Sequence, residues 1–143
     1  MKTLVLPAAL VGLSPIGAAQ TSDVTGVWSF EAEIGADCSF VGQAQFTSTV
    51  EETVYGCALT ARQSCPDIGL DMVVAQDCRA ERDGDTLMIV SEIREFLKGD
   101  PTPFYYPDNF ALEIQSSDRM TGWLLWAENS EPAEFVRDIG AIS

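Results

Sequence analysis

The stretch Cys57-Ala-Leu-Thr-Ala-Arg-Gln-Ser-Cys65-Pro-Asp-Ile-Gly-Leu70-Asp-Met-Val-Val-Ala-Gln-Asp-Cys78 holds three of the chain's four cysteines; the fourth is Cys38. The Pro66–Gly69 tetrapeptide is a turn signal between two runs that alternate apolar and polar residues, the period of half-buried strands. If the turn sets Cys65 near Leu70 in an antiparallel hairpin, counting outward places Cys57 opposite Cys78. A tight turn at Glu51-Glu52 sets Val50 against Thr53, and the same count places Cys38 opposite Cys65. Directly opposed residues have Cα atoms about 4.5–5.5 Å apart, within disulfide reach. Cys57 and Cys65 are eight residues apart on one strand, about 26 Å if extended. The expected pairs are therefore Cys38–Cys65 and Cys57–Cys78. Four cysteines allow three connectivities, and the alternative is a local Cys57–Cys65 loop with Cys38–Cys78. A zinc site is not expected, because no C-x-x-C knuckle is present. The same lack argues against a redox motif. No metal or cofactor is implied.

The strand pattern extends over the rest of the chain. Eight strands are expected, near Val24–Ile34, Cys38–Val50, Val54–Gln63, Leu70–Glu81, Asp85–Phe96, Asn109–Ser116, Met120–Glu128 and Ala133–Ile139. The connections are short except for residues 97–108. Such a meander reads as an all-β, single antiparallel up-and-down barrel of about eight strands, stapled by disulfides, whose closure removes exposed edges. Alternation supports it. Trp28, Phe30, Ala32 and Ile34 share one face, as do Phe40, Gly42, Ala44 and Phe46, and Leu87, Ile89 and Ile93. The parity of strand seven is open, since Trp123 and Trp126 fall on opposite faces.

The amino terminus carries Lys2, an apolar run from Leu4 to Ile16, and small residues at Gly17 and Ala19. This is the pattern of a signal peptide cut after Ala19. The run is too short for a span, which needs about 20 apolar residues. Residues 1–19 are then a leader and 20–143 the barrel domain, periplasmic or secreted, where disulfides persist. No membrane insertion is expected after cleavage, and the barrel is expected to be monomeric. The full chain has a net charge of −14. Such a surface disfavours nucleic acid, whose binding rests on Lys and Arg, and suits basic proteins or simple solubility. With no histidine, a Ser-His-Asp triad and a His-ligated zinc are excluded. Glu31, Glu33, Glu92 and Glu113 fall mostly on solvent-facing positions, so no carboxylate pair is set in a cleft. The chain reads as non-enzymatic.

The stretch Thr25-Gly26-Val27-Trp28-Ser29-Phe30 at the start of strand one resembles the G-x-W signature of the lipocalin and wider calycin group. That resemblance implies that Trp28 plugs the closed barrel end and that a last-strand arginine, here Arg137, packs over it. The T-D-Y motif of that group is absent, and no length remains for its C-terminal helix. The same opening is similar to avidin-type barrels, although Phe30 replaces the polar residue they place two after the tryptophan. It also looks like small bacterial periplasmic barrels that inhibit proteases or lysozyme.

In an eight-strand meander the first, third, fifth and seventh connections share one end. The fifth, Leu97-Lys-Gly-Asp-Pro-Thr-Pro-Phe104-Tyr105-Tyr106-Pro-Asp108, is the long one. Long loops in compact domains are usually functional or disordered. Phe104, Tyr105 and Tyr106 either bind a partner there, with Asp100 and Asp108 steering a basic protein, or fold over the barrel as a plug. From inside, Ile34, Phe40, Gln63, Met72 and Ile93 are expected to line that end, an apolar ring with one amide, in the style of a small-ligand site. Three functions follow: binding of a small apolar molecule or a protein partner at the loop end, inhibition of a basic enzyme such as a protease or lysozyme, or a structural envelope role with no ligand.

Overall fold

A computed structural model describes residues 23–138. The expected leader lies outside them. Eight antiparallel strands run in chain order around a closed barrel, each bonded to its neighbours in sequence and β1 to β8. They are β1 Gly26–Ala32, β2 Ser39–Ser48, β3 Val54–Cys65, β4 Leu70–Asp83, β5 Thr86–Lys98, β6 Asn109–Ser116, β7 Arg119–Trp126 and β8 Asn129–Arg137. One 3-10 turn, Pro66–Ile68, joins β3 to β4, ending at Gly69 in the left-handed region.

The hairpin registers are those the cysteine count required. Ser39 opposes Ser64 in the β2–β3 ladder, and Cys57 opposes Cys78 directly in the β3–β4 ladder. Both disulfides form, Cys38–Cys65 with Cα atoms 4.2 Å apart and Cys57–Cys78 with Cα atoms 4.7 Å apart. The local Cys57–Cys65 loop is thereby set aside. The β4–β5 turn closes at Asp83 opposite Thr86, around Gly84 with φ 63°.

Only β6 keeps both expected ends; most other boundaries move by one or two residues, and the start of β8 moves by four. β8 begins at Asn129 rather than Ala133, because Leu125 and Trp126 of β7 pair with Ser130 and Asn129 and carry the ladder to the turn. β5 runs on to Lys98 because β4 keeps pairing with it, through two register shifts between Val73 and Gln76. Strand seven also resolves: Leu124 is fully buried and Trp126 packs against the core, while Trp123 points out.

The interior is filled by side chains, as small barrels allow. Phe30 stacks on Phe135 at 5.0 Å and meets Phe110 edge-on at 5.3 Å, with Phe40 6.0 Å away. Leu59, Leu87, Ile89, Leu112, Met120 and Leu124 complete the packing. Gly42 lies directly across from Phe30 in the β1–β2 ladder. A Cβ there would collide with the Thr60 carbonyl and the Phe30 ring. The missing side chain is what lets the Phe30 ring lie against the backbone there.

Candidate functional site

The two barrel ends are built from different chemistry. At one end, Trp28 is fully buried and its indole N–H donates to the Val24 carbonyl at 2.9 Å. The Arg137 guanidinium lies 4.5 Å over the ring. It donates to the carbonyls of Thr25 at 2.6 Å, Asp23 at 2.7 Å and Ser117 at 2.9 Å. Gly26 has φ +121°, and a side chain there would meet the Arg137 guanidinium 2.9 Å away. Gly26, Trp28 and Arg137 thus form one lid, in which the glycine allows both the backbone angle and the close approach of the arginine.

The other end carries the long connection, residues 99–108. Its three aromatics part company. Phe104 is 81% exposed and Tyr106 47%, while Tyr105 turns inward. The Tyr105 hydroxyl donates to Asp108 Oδ2 at 2.7 Å, and the Tyr105 ring meets Phe96 edge-on at 6.0 Å. Asp108 is 1% exposed. The fully buried Gln76 side chain clasps it from β4: the amide donates to Asp108 Oδ2 at 2.6 Å, and the Asp108 backbone N–H donates to Gln76 Oε1 at 2.9 Å. Tyr105 is therefore the plug, and Phe104 and Tyr106 are presented to solvent on a loop held at its base. Asp108 does not steer a partner as expected, since it faces the interior; Asp100 stays exposed.

Burial pushes the Asp108 carboxyl up to about 6, against the opposing pull of the hydrogen bonds from Tyr105 and Gln76. The Tyr105 phenol is also raised, first by burial and then by the neighbouring carboxylate, so the shared proton stays on the tyrosine. Ile89, Phe110 and Leu124 are consecutive inward partners across β5, β6 and β7. Ser91 and Trp126 follow Ile89 and Leu124 by two residues, at the level where Asp108 precedes β6 and beyond the last ladder pair of β5 with β6. Two atoms at that level, Ser91 Oγ and Trp126 Nε1, are buried without a hydrogen-bond partner.

The expected inner ring is partly assembled. Phe40 opposes Gln63 and Gln63 opposes Met72, forming one continuous row. Phe40 and Met72 are buried; Ile34, Gln63 and Ile93 are partly buried. Ile93 sits opposite Gln76 rather than level with Met72, which places it beside the Asp108 cluster. Outside, Asp71 accepts from Arg62 Nε at 3.0 Å and Lys98 Nζ at 2.6 Å, tying β3, β4 and β5 together. These two cations hold the Asp71 carboxyl down to about 2.

The sequence reading missed Gln76 and the inward turn of Asp108. The signal for Asp108 was present: it has the parity of Phe110 and Leu112, so the inward face of β6 continues through it. Gln76 carried no such flag, because a glutamine at an inward position near a barrel end reads equally well as exposed.

Two depressions mark the outer wall. One of about 640 Å³ lies among Val41, Val73, Val136, Gln43 and Thr60. A larger one, about 1180 Å³, runs beside the β1–β2 connection, with Trp123 half-exposed among Glu31, Glu33, Glu113, Glu131 and Glu134. Among the described residues no group of three His, Cys, Asp or Glu side chains could hold a metal ion.

No protein-family model matches the chain, and no curated protein sequence does. Among solved structures it is similar to a redesigned beta barrel, with a TM-score of 0.56 and 14% identity over 80% of this chain and 91% of that one. At this identity the likeness speaks for the barrel fold alone.

Proposed function

We propose that the chain is an exported, non-enzymatic barrel of calycin type that recognises a protein partner through its 99–108 loop. The exposure of Phe104 and Tyr106 above an occupied barrel interior carries the proposal. Large aromatic side chains left in water on a loop are costly unless something covers them, and they bring contact area at low entropic cost. The Tyr105–Asp108–Gln76 clasp supports the same reading, because it fixes the loop before any partner arrives and lowers the ordering cost of binding. An interior packed with phenylalanine favours a protein over a small apolar molecule. The two disulfides accord with an oxidising periplasmic or extracellular setting.

A second reading, inhibition of a basic enzyme, is favoured by the glutamate-lined groove with Trp123 at the same end of the barrel. The two readings differ in which aromatics matter.

Native mass spectrometry of the protein purified from its own host tests both. A protein adduct is expected with the natural chain and not with the Phe104→Ser/Tyr106→Ser double variant, whose melting temperature should be unchanged. An adduct lost instead with Trp123→Ser moves the interface to the groove. A small-molecule adduct that survives both variants refutes partner recognition at the loop.

A further inference from the structure

The loop's prolines leave a feature of the barrel wall open. β5 is 13 residues long, but β6 pairs only with its first part, from Thr86 opposite Glu113 to Ile89 opposite Phe110. One more contact follows, in which the Ser91 backbone N–H donates to Asn109 Oδ1 at 2.8 Å. From Glu92 to Lys98, β5 keeps β4 on one side and has no strand on the other. The cause is in the sequence. The chain that follows β5 holds Pro101, Pro103 and Pro107, which have no N–H to give to a ladder. It crosses the gap by side-chain contacts instead, Tyr105 against Phe96 and Asp108 against Gln76.

We infer that the free edge of β5, residues 92–98, takes up an extended basic segment of the partner protein as an added strand. This rests on the loop reading above and names its binding mode. An edge strand is a template for pairing, with main-chain hydrogen bonds giving affinity and alternate side chains giving specificity. The apolar contacts are in place on either side: Leu97 on the strand, Phe104 and Tyr106 on the loop, all exposed. The charge selects the occupant. Arg94 is paired with Asp77 at 3.9 Å and Lys98 with Asp71 at 2.6 Å. Glu92, Glu95 and Asp100 enter no ion pair among the described residues. The edge therefore presents uncompensated negative charge, which suits Lys or Arg alternating with apolar residues. A second copy of this chain suits it less well, since the full chain carries a net charge of −14 and a parallel in-register pair would set glutamate against glutamate. The register shifts between Val73 and Gln76 bend this same segment, which works against self-pairing of flat edges. The added strand is accordingly short.

The test uses the full chain without its leader, isotopically labelled, and a synthetic extended peptide of alternating lysine and valine with one tyrosine. Amide shifts and hydrogen exchange are followed by NMR. The expected result is saturable binding, at least about tenfold slower exchange at amides within 92–98, and loss of binding when the peptide is N-methylated on its pairing edge but not on the other. Saturable shifts confined to Phe104 and Tyr106, indifferent to N-methylation, overturn strand addition and leave the loop reading standing. Absence of saturable shifts in either place overturns both. Protection of residues 92–98 that grows with protein concentration alone identifies a second copy as the occupant and overturns the basic-partner assignment.

Discussion

The closed end and the loop end of the barrel bury polar groups in opposite ways. Around Trp28 every side-chain nitrogen of the pair has an acceptor: the indole reaches the Val24 carbonyl, and Arg137 spreads its three nitrogens over three backbone carbonyls while lying on the ring. Around Asp108 a carboxyl is buried against neutral partners, and two nearby polar atoms have none. The first arrangement is what a structure does when an end must only stay shut. The second holds a loop in place at an energetic cost, and such costs concentrate where a molecule does something. The contrast says where to look for stability and where to look for function, and it can be broken by measurement.

The largest effect belongs to the closed end. Trp28→Ala should destabilise by roughly 3–5 kcal/mol, the range for a fully buried large aromatic. Urea titration gives the number. Arg137→Ala should also destabilise, by a smaller amount, since it strips the cover from the ring and leaves the carbonyls of Thr25 and Asp23 without their donor. Unchanged stability in Trp28→Ala would mean that the closed end is not the anchor of the fold.

Next come the staples. Each disulfide closes a separation of 27 or 21 residues, and loops of that size are worth about 2–4 kcal/mol. Replacing Cys57 and Cys78 by alanine together should cost that much in the midpoint of unfolding. Peptide mapping without reduction should recover Cys38 linked to Cys65 and Cys57 linked to Cys78.

The clasp predicts a pH dependence. The Asp108 pKa is raised from 3.8 to about 6 on folding, so the folded state holds its proton more tightly than the unfolded one. Its contribution is fully present below pH 4 and is lost as pH rises through 6, by at most about 3 kcal/mol for a shift of this size. Asp71 runs the other way: its carboxyl is lowered to about 2, so its contribution is present above pH 4 and is lost as pH falls through 2. Unfolding measured at pH 4 and pH 7 should show the natural chain gaining stability on acidification relative to Asp108→Asn. Equal slopes in the two proteins would remove the buried carboxyl from the clasp.

How much of this was legible beforehand depends on range. The barrel and both disulfides followed from parity and hairpin counting, because a ladder's register is set by its turn and a slip of one residue would turn every side chain over. Trp28 and Arg137 were legible because a motif joined them, although 109 positions separate them. The loop's division into one inward and two outward aromatics was not. Phe104, Tyr105 and Tyr106 are adjacent, sit outside any strand, and obey no period; their directions are decided by Asp108 and Gln76, residues from β6's approach and from β4. The unpaired half of β5 was equally hidden: its alternation ends at Ile93, where the shifts against β4 begin, and no residue in it marks that β6 has left its other side.

The smallest expected effect is the sharpest probe of the loop end. Ser91 Oγ and Trp126 Nε1 are buried without partners, and an unmade hydrogen bond costs the group its hydration and returns nothing. Replacing such a group by an apolar one of similar shape should therefore cost little or help. Ser91→Ala removes only the hydroxyl, and Trp126→Phe removes the N–H while keeping an aromatic ring in the inward level beside Asp108. Each should change stability by less than about 1 kcal/mol, against the several expected for Trp28. The two tryptophans make the comparison direct: same residue type, opposite ends, one satisfied and one not. If Trp126→Phe proves as damaging as Trp28→Ala, the indole N–H has a partner in solution, and the loop end is as fully bonded as the closed one. If it is neutral for folding but weakens binding at the loop, the unsatisfied polar level beneath Tyr105 belongs to recognition rather than to the barrel.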